Sequence, residues 1–158
     1  GGYEAGSEVA RAYREALAPR AAVFTPNIPE LAAVLDGAPI SSLFAAGCGA
    51  VLHKGGHGEG AEIVDRLLMP TAERSFVHER LSVGPVHGTG CALATAIAAG
   101  LANGLDVARA SERAIAWLQR CLRALPPRAS SDLGEDAPRP RPLGIVFAAR
   151  DGLLGPSS

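Results

Sequence analysis

The chain of 158 residues has the length of one domain, and with 47% hydrophobic and 20% charged residues it can bury a sizeable core. A formal net charge of −1 without a basic stripe gives no footing for a nucleic-acid partner. Three cysteines (Cys48, Cys91, Cys121) are too few and too odd for a disulfide framework, and the longest mostly apolar run, 91–102, falls short of the ~20 residues that span a bilayer, so a cytoplasmic protein is expected.

Aromatics are only 4% of the residues, so small aliphatics must fill the core, a palette suited to helices on a parallel sheet. The spacing predicts a helix over Ser7 to Leu17, capped by Ser7, with Val9, Ala12, Tyr13, Ala16 and Leu17 on its inner face. Ala21 to Thr25 reads as a buried parallel strand. Pro26-Asn27 breaks it, and Pro29-Glu30 opens a helix to Leu35 that Asp36-Gly37 stops. Ile40 to Ala46 reads as a short helix ended by Gly47. Ala50 to His53 reads as a second buried strand, running into Lys54-Gly55-Gly56-His57-Gly58. Residues 61–69 and 74–83 read as a hairpin or meander about Pro70-Thr71-Ala72-Glu73. A buried helix is expected over Cys91 to Asn103, and an amphipathic one over Val107 to Leu125 with Ala110, Ala114, Trp117, Leu118, Cys121 and Leu125 inside. Residues 126–142 read as a Pro-rich linker or disordered segment in which Arg139 and Arg141 are solvated, and 143–149 as one further strand or a segment that merely sticks to the surface. Strands alternating with helices argue an α/β layered fold, with ligands gathered at the carboxyl ends of its strands.

Three constellations can carry chemistry. In Gly88-Thr89-Gly90-Cys91, glycines allow a tight turn and a helix start adds partial positive charge, which together make an anion hole for a transferring phosphoryl group. Cys91 at that start can act as a thiolate and take a proton from an attacking hydroxyl. The plainer alternative is a glycine turn needed for packing. Asn27-x-x-Glu30 can hold a hydrated Mg²⁺ beside nucleotide phosphates, or be a capping pair. Lys54 beside Gly55 and Gly56 can reach phosphate oxygens, or be a solvated turn lysine. Cys48 and Cys121 read as core, and His53 and His78 have no evident partner. No CxxC, HExxH or Walker-type loop is present.

In order, Thr25-Pro26-Asn27-Ile28-Pro29-Glu30, Ala50-Val51-Leu52-His53-Lys54-Gly55-Gly56-His57 and His87-Gly88-Thr89-Gly90-Cys91 resemble the hydroxymethylpyrimidine/phosphomethylpyrimidine kinases of thiamine biosynthesis, in the ribokinase-like superfamily. The resemblance runs from about Val9 to Leu125. It implies a three-layer α/β sandwich with a mostly parallel sheet, ATP with Mg²⁺, and phosphorylation of hydroxymethylpyrimidine and then of its monophosphate. It implies Asn27 and Glu30 at the metal and phosphate motif, and Lys54, Gly55 and Gly56 near the nucleotide. Gly88, Thr89 and Gly90 form the anion hole. Cys91 stands where sugar-kinase relatives carry an aspartate base, which points to the pyrimidine branch. The small-molecule substrate is a pyrimidine alcohol, with neither nucleic acid nor membrane as partner; a homodimer is an allowed assembly.

Departures from the family set further expectations. Its N-terminal half, with the glycine-rich substrate loop, has no counterpart here, and the chain starts Gly-Gly-Tyr without a Met. The stretch from Leu35 to Ala50 is short, and Val86 replaces a polar residue. A fragment is therefore expected: 1–125 the C-terminal portion of an incomplete ribokinase-like domain, 126–158 a tail, with poor or no turnover alone. The alternatives are a pyridoxal-type kinase of the same superfamily and a non-catalytic nucleotide-binding fragment.

Overall fold

The computed structural model describes residues 6–56, 60–84, 86–125 and 141–142. Its backbone divides into two compact units, Gly2–Arg80 and Leu81–Ser158.

The first unit opens with α1 (Ser7–Ala12), continued by a π-helical stretch, Tyr13–Leu17, and a 3₁₀ turn, Ala18–Arg20. The expected cap at Ser7 is not formed: Gly6 is the N-cap and makes no side-chain cap bond. The inner face departs from the periodic series read in the sequence already in the regular turn, where Ala10 is buried and Ala12, expected inside, is exposed. Ala10 and Ala18 are buried, whereas Tyr13 and Leu17, both expected inside, are 42% and 54% exposed.

Residues 21–26 pair in parallel with β1 (Val51–His53) but bend at Ala22 and Val23, and none of residues 21–25, expected as a buried strand, is fully buried. The N–H groups of Gly49, Phe24, Leu52 and Lys54 donate to the carbonyls of Ala21, Ala50, Phe24 and Pro26 in turn. Regular bridges form only at Phe24–Val51 and Asn27–Lys54. Pro26 accepts but has no N–H to donate, and the chain turns directly into α2 (Ile28–Leu35). Asp36 and Gly37, at φ 50° and 81°, end that helix in the left-handed region. After α3 (Ser41–Ala45), β1 leads into β2 (Glu62–Met69) and β3 (Ala72–Glu79).

The sheet order is β1-β2-β3, with both ladders antiparallel. Two facts of chain length decide this. Met69 pairs with Ala72, so Pro70-Thr71 is a two-residue turn, shorter than the four residues expected. The link from β1 to β2 is also too short for a parallel crossover, which needs about a dozen residues or more. The expectation of a mostly parallel sheet is met, among the described residues, only beside 24–27 and where β4 (Val86–His87) pairs with β5 (Arg141–Pro142). Arg141, expected in a solvated tail, thus pairs with Val86.

The core of this unit gathers Ala10, Ala18, Leu31, Val34, Leu43, Cys48 and Val51, with Phe24, Leu35, Ile40, Phe44 and Leu68 packed against it. Burial raises the Cys48 thiol above its ordinary value, and its Sγ lies 3.3 Å from the Ala50 carbonyl oxygen. Cys121 is buried and raised for the same reason, so both behave as core residues, as expected.

His53, half-buried on β1, is held below its ordinary 6.5 by burial first and by Arg66 second, with Asp65 opposing. An unfolded chain therefore takes up this proton more readily than the folded one. The stability is present above 6.5 and is lost as pH falls through the lower folded value. The melting temperature is expected to drop between about pH 7 and pH 5, and His53→Gln to flatten that drop. Parallel thermal melts of the two proteins would check it; identical pH slopes would remove His53 as the cause.

The second unit packs α4 (Thr89–Ala102) against α5 (Val107–Arg123). A Cβ at Gly100 would lie 3.0 Å from the Ala110 Cβ, so the two helices approach closely where both residues are small. Helix α4, expected to be buried on nearly all sides, hides Ala92, Leu93, Ala96, Ile97 and Gly100 but leaves Thr95 and Ala98 exposed. Helix α5 buries Ala110, Ala114, Trp117 and Cys121, as the sequence predicts, whereas Leu118 and Leu125, also expected inside, are only half-buried. The expected strand at 143–149, and the linker apart from 141–142, lie outside the described residues. No helix among the described residues is long and apolar enough to cross a membrane.

Candidate functional site

In the first unit, the Asn27–Lys54 bridge sets two of the candidate motifs side by side at the carboxyl ends of neighbouring parallel segments. Asn27 caps α2: its Oδ1 accepts the Glu30 N–H at 2.8 Å, while Glu30 Oε2 accepts the Asn27 N–H at 2.8 Å. This is a complete capping box, so the bland reading of Asn27-x-x-Glu30 is realised. Glu30 is exposed and its second carboxylate oxygen is left over from the box. Hard oxygen donors of this kind suit a hydrated Mg²⁺, which keeps waters and takes one or two carboxylates beside phosphates. Among the described residues no cluster of three or more His, Cys, Asp or Glu is arranged to hold a metal ion by itself.

Lys54 is half-buried, and Gly55 and Gly56 follow it. Those two glycines differ in kind. A Cβ on Gly55 would collide with the Val64 carbonyl oxygen on β2, whereas one on Gly56 would meet nothing within 4 Å. The Gly55 N–H donates to Asp65 Oδ1 at 2.8 Å. Asp65 Oδ2 lies 3.0 Å from His78 Nε2 on β3. His78, without an evident partner in the sequence, therefore has one. Arg80 donates from Nη1 to the Gly56 carbonyl at 2.8 Å and from Nε to the Gly60 carbonyl at 2.7 Å. Asp65, His78 and Arg80 carry no motif of their own. The available signal was register: Asp65 faces Phe76 across the hairpin, and His78, two residues on, is its diagonal neighbour on the same face.

In the second unit, Gly88 is the N-cap of α4 at φ 88°, ψ 0°, a left-handed conformation that a side chain disfavours. The helix starts at Thr89, two residues earlier than the sequence suggested, so Gly90 lies inside its first turn and only Gly88 makes the bend. Ala92 is the first residue to donate back, to the Gly88 carbonyl at 2.9 Å. The N–H groups of Thr89, Gly90 and Cys91 therefore have no carbonyl four residues back within the helix, and Gly88 provides no side-chain cap. Three N–H groups at the positive end of a 14-residue helix form a donor set for an anion. Cys91 is exposed, unlike Cys48 and Cys121.

Comparison with known proteins bears on what these motifs do. A family model described as Phosphomethylpyrimidine kinase matches residues 4–135. The hydroxymethylpyrimidine/phosphomethylpyrimidine kinase of Escherichia coli K12 is 38% identical over 120 residues, covering 69% of this chain and 45% of that protein. The thiamine biosynthesis bifunctional protein ThiED of Geobacter sulfurreducens is 39% identical over 124 residues, covering 72% of this chain and 25% of that protein. The chain thus spans less than half the length of these relatives. Among solved structures, an ADP complex of Bacillus subtilis pyridoxal kinase superposes with a TM-score of 0.63 at 29% identity, covering 70% of this chain and 46% of that one. A Staphylococcus aureus pyridoxal kinase with AMP-PCP and pyridoxal reaches 0.71 at 22% identity, over 78% and 50% of the two chains, a likeness of fold.

Proposed function

Since the chain belongs to the phosphomethylpyrimidine kinase family, we propose that it carries the nucleotide-handling residues of an ATP-dependent kinase for hydroxymethylpyrimidine and its monophosphate, in thiamine biosynthesis. The observation that carries this reading is the start of α4, where three N–H donors stand beside an exposed cysteine. We place it in a ribokinase-like layered α/β sandwich to which β1-β2-β3 contribute an antiparallel part, working in the cytoplasm on a small molecule, with a homodimer as an allowed assembly.

In this reading Cys91 Sγ takes the proton of the substrate hydroxymethyl group. The oxygen so freed forms its bond to the γ-phosphorus of ATP as the bond to the ADP oxygen breaks. The Thr89, Gly90 and Cys91 N–H groups hold the charge that gathers on the transferring oxygens. Lys54 offers a point charge to the nucleotide phosphates, and the open space at Gly56 leaves room for them. Asn27 and Glu30 would hold a hydrated Mg²⁺, which when bound neutralises phosphate charge. Glu30→Gln preserves the capping box, because the amide oxygen still accepts the Asn27 N–H. Its unfolding free energy is expected to change by less than about 0.5 kcal/mol, while the Mg²⁺ concentration for half-maximal rate rises about tenfold. Unchanged Mg²⁺ dependence would leave Glu30 as a cap alone.

The direct test supplies MgATP with hydroxymethylpyrimidine, its monophosphate or pyridoxal, and follows ADP. Faster ADP release with the pyrimidines supports the proposal. Release with pyridoxal alone shifts the reading to the pyridoxal branch, a substrate acted on by the Bacillus subtilis structural neighbour. Nucleotide binding without turnover points to a non-catalytic nucleotide-binding fragment, and neither binding nor turnover overturns all three.

A further inference from the structure

Asp65 is only 5% exposed on β2, and a carboxylate so placed needs partners for both oxygens. It has them: the Gly55 N–H at Oδ1 and the His78 ring at Oδ2. Gly55 is pressed so closely against the Val64 carbonyl that no side chain fits, which is what brings its N–H to the Asp65 carboxylate. Arg80 grips the carbonyl of Gly56 and, farther along the chain, that of Gly60. A carboxylate thus holds the turn by its N–H, and a guanidinium holds it by a carbonyl. Two consecutive glycines would otherwise leave this backbone with the largest conformational freedom of any residue pair. Ordering it on binding would weaken affinity by the amount that a preformed turn avoids.

We infer that Asp65 and Arg80 are positioning residues that hold the Lys54-Gly55-Gly56 turn in the form that meets the phosphates of the nucleotide. This rests on the kinase reading above. Neither side chain touches the reacting atoms. His78 orients Asp65 by occupying its second oxygen, so that the first faces Gly55. The turn serves ground state and transition state alike, so its loss weakens nucleotide affinity more than it slows the chemical step.

The test is titration calorimetry of the whole chain with the non-hydrolysable analogue AMP-PCP and Mg²⁺, at a temperature where each variant is folded. Asp65→Ala is expected to bind about tenfold more weakly. Asp65→Asn, whose amide oxygen still accepts the Gly55 N–H, stays within about threefold. Hydrogen exchange at residues 54–56 should quicken in Asp65→Ala alone, with α5 unchanged. Should Asp65→Ala fail to fold, Arg80→Ala carries the same expectation at about fivefold. Wild-type affinity in a folded Asp65→Ala and in Arg80→Ala would overturn the inference and leave the kinase reading standing. Failure of the wild-type chain to bind the analogue would overturn the kinase reading and this inference together.

Discussion

In a full-length parent carrying these residues, replacing Cys91 by alanine is expected to lower phosphoryl transfer about 10²- to 10⁴-fold, the range that loss of a general base commands. Cys91 is the third residue of α4 and is exposed, so its thiol meets solvent at the donor end of the helix. Alanine is the strongest helix former and leaves no cavity at an exposed position, so the fold should be untouched. The loss would then be chemical. Cys91→Asp, which restores a proton acceptor of the type that sugar-kinase relatives use, should recover part of the rate. Initial rates with MgATP and hydroxymethylpyrimidine, read beside circular-dichroism melts, separate the two effects. A loss below threefold with an unchanged melt would remove the base assignment and reduce Cys91 to a helix-start filler.

The second large effect concerns stability. Gly55→Ala is expected to cost about 3 kcal/mol, at the upper end of what overpacking usually costs. The added methyl would drive into the Val64 carbonyl oxygen, which is main chain held in the β2–β3 ladder and cannot swing aside like a flexible side chain. Any backbone shift that relieves it also stretches the Gly55–Asp65 hydrogen bond and leaves a buried carboxylate short of a partner. Its neighbour is the control. Gly56→Ala meets open space and should change stability by less than about 1 kcal/mol. Urea unfolding of the three proteins would measure both. Equal midpoints for the two variants would show that Gly55 does not lie against β2 as described.

Much of the candidate site was legible in the amino-acid order, because its parts are local. Asn27 followed three residues later by Glu30 makes a capping box with no help from the rest of the chain. Asp36-Gly37 and Gly104 end helices through their own positive φ. The hairpin announced itself by a turn at Pro70-Thr71-Ala72-Glu73, two residues longer than the one formed, between two strand-like runs, and the three ordered motifs led to the family that the comparisons support. Less legible were features set by register or by departures from ideal periodicity. One is the inner face of the first helical segment, which falls on Ala10 and Ala18 and leaves Ala12, Tyr13, Ala16 and Leu17 exposed.

By itself, then, the sequence determined the short-range elements, the caps that bound them and the identity of the chemical motifs. Each depends on residues within a turn or two of one another. Only the tertiary structure decided that β1, β2 and β3 run antiparallel, that Asn27 and Lys54 lie side by side, and that Asp65, His78 and Arg80 surround the Lys54-Gly55-Gly56 turn. The physical reason is strand pairing. Side chains alternate faces with a period of two, so a one-residue slip in the β2–β3 register would carry His78 to the opposite face from Asp65. The two-residue turn at Pro70-Thr71 and the burial of Leu67 and Phe76 fix that register, and those are properties of the assembled sheet.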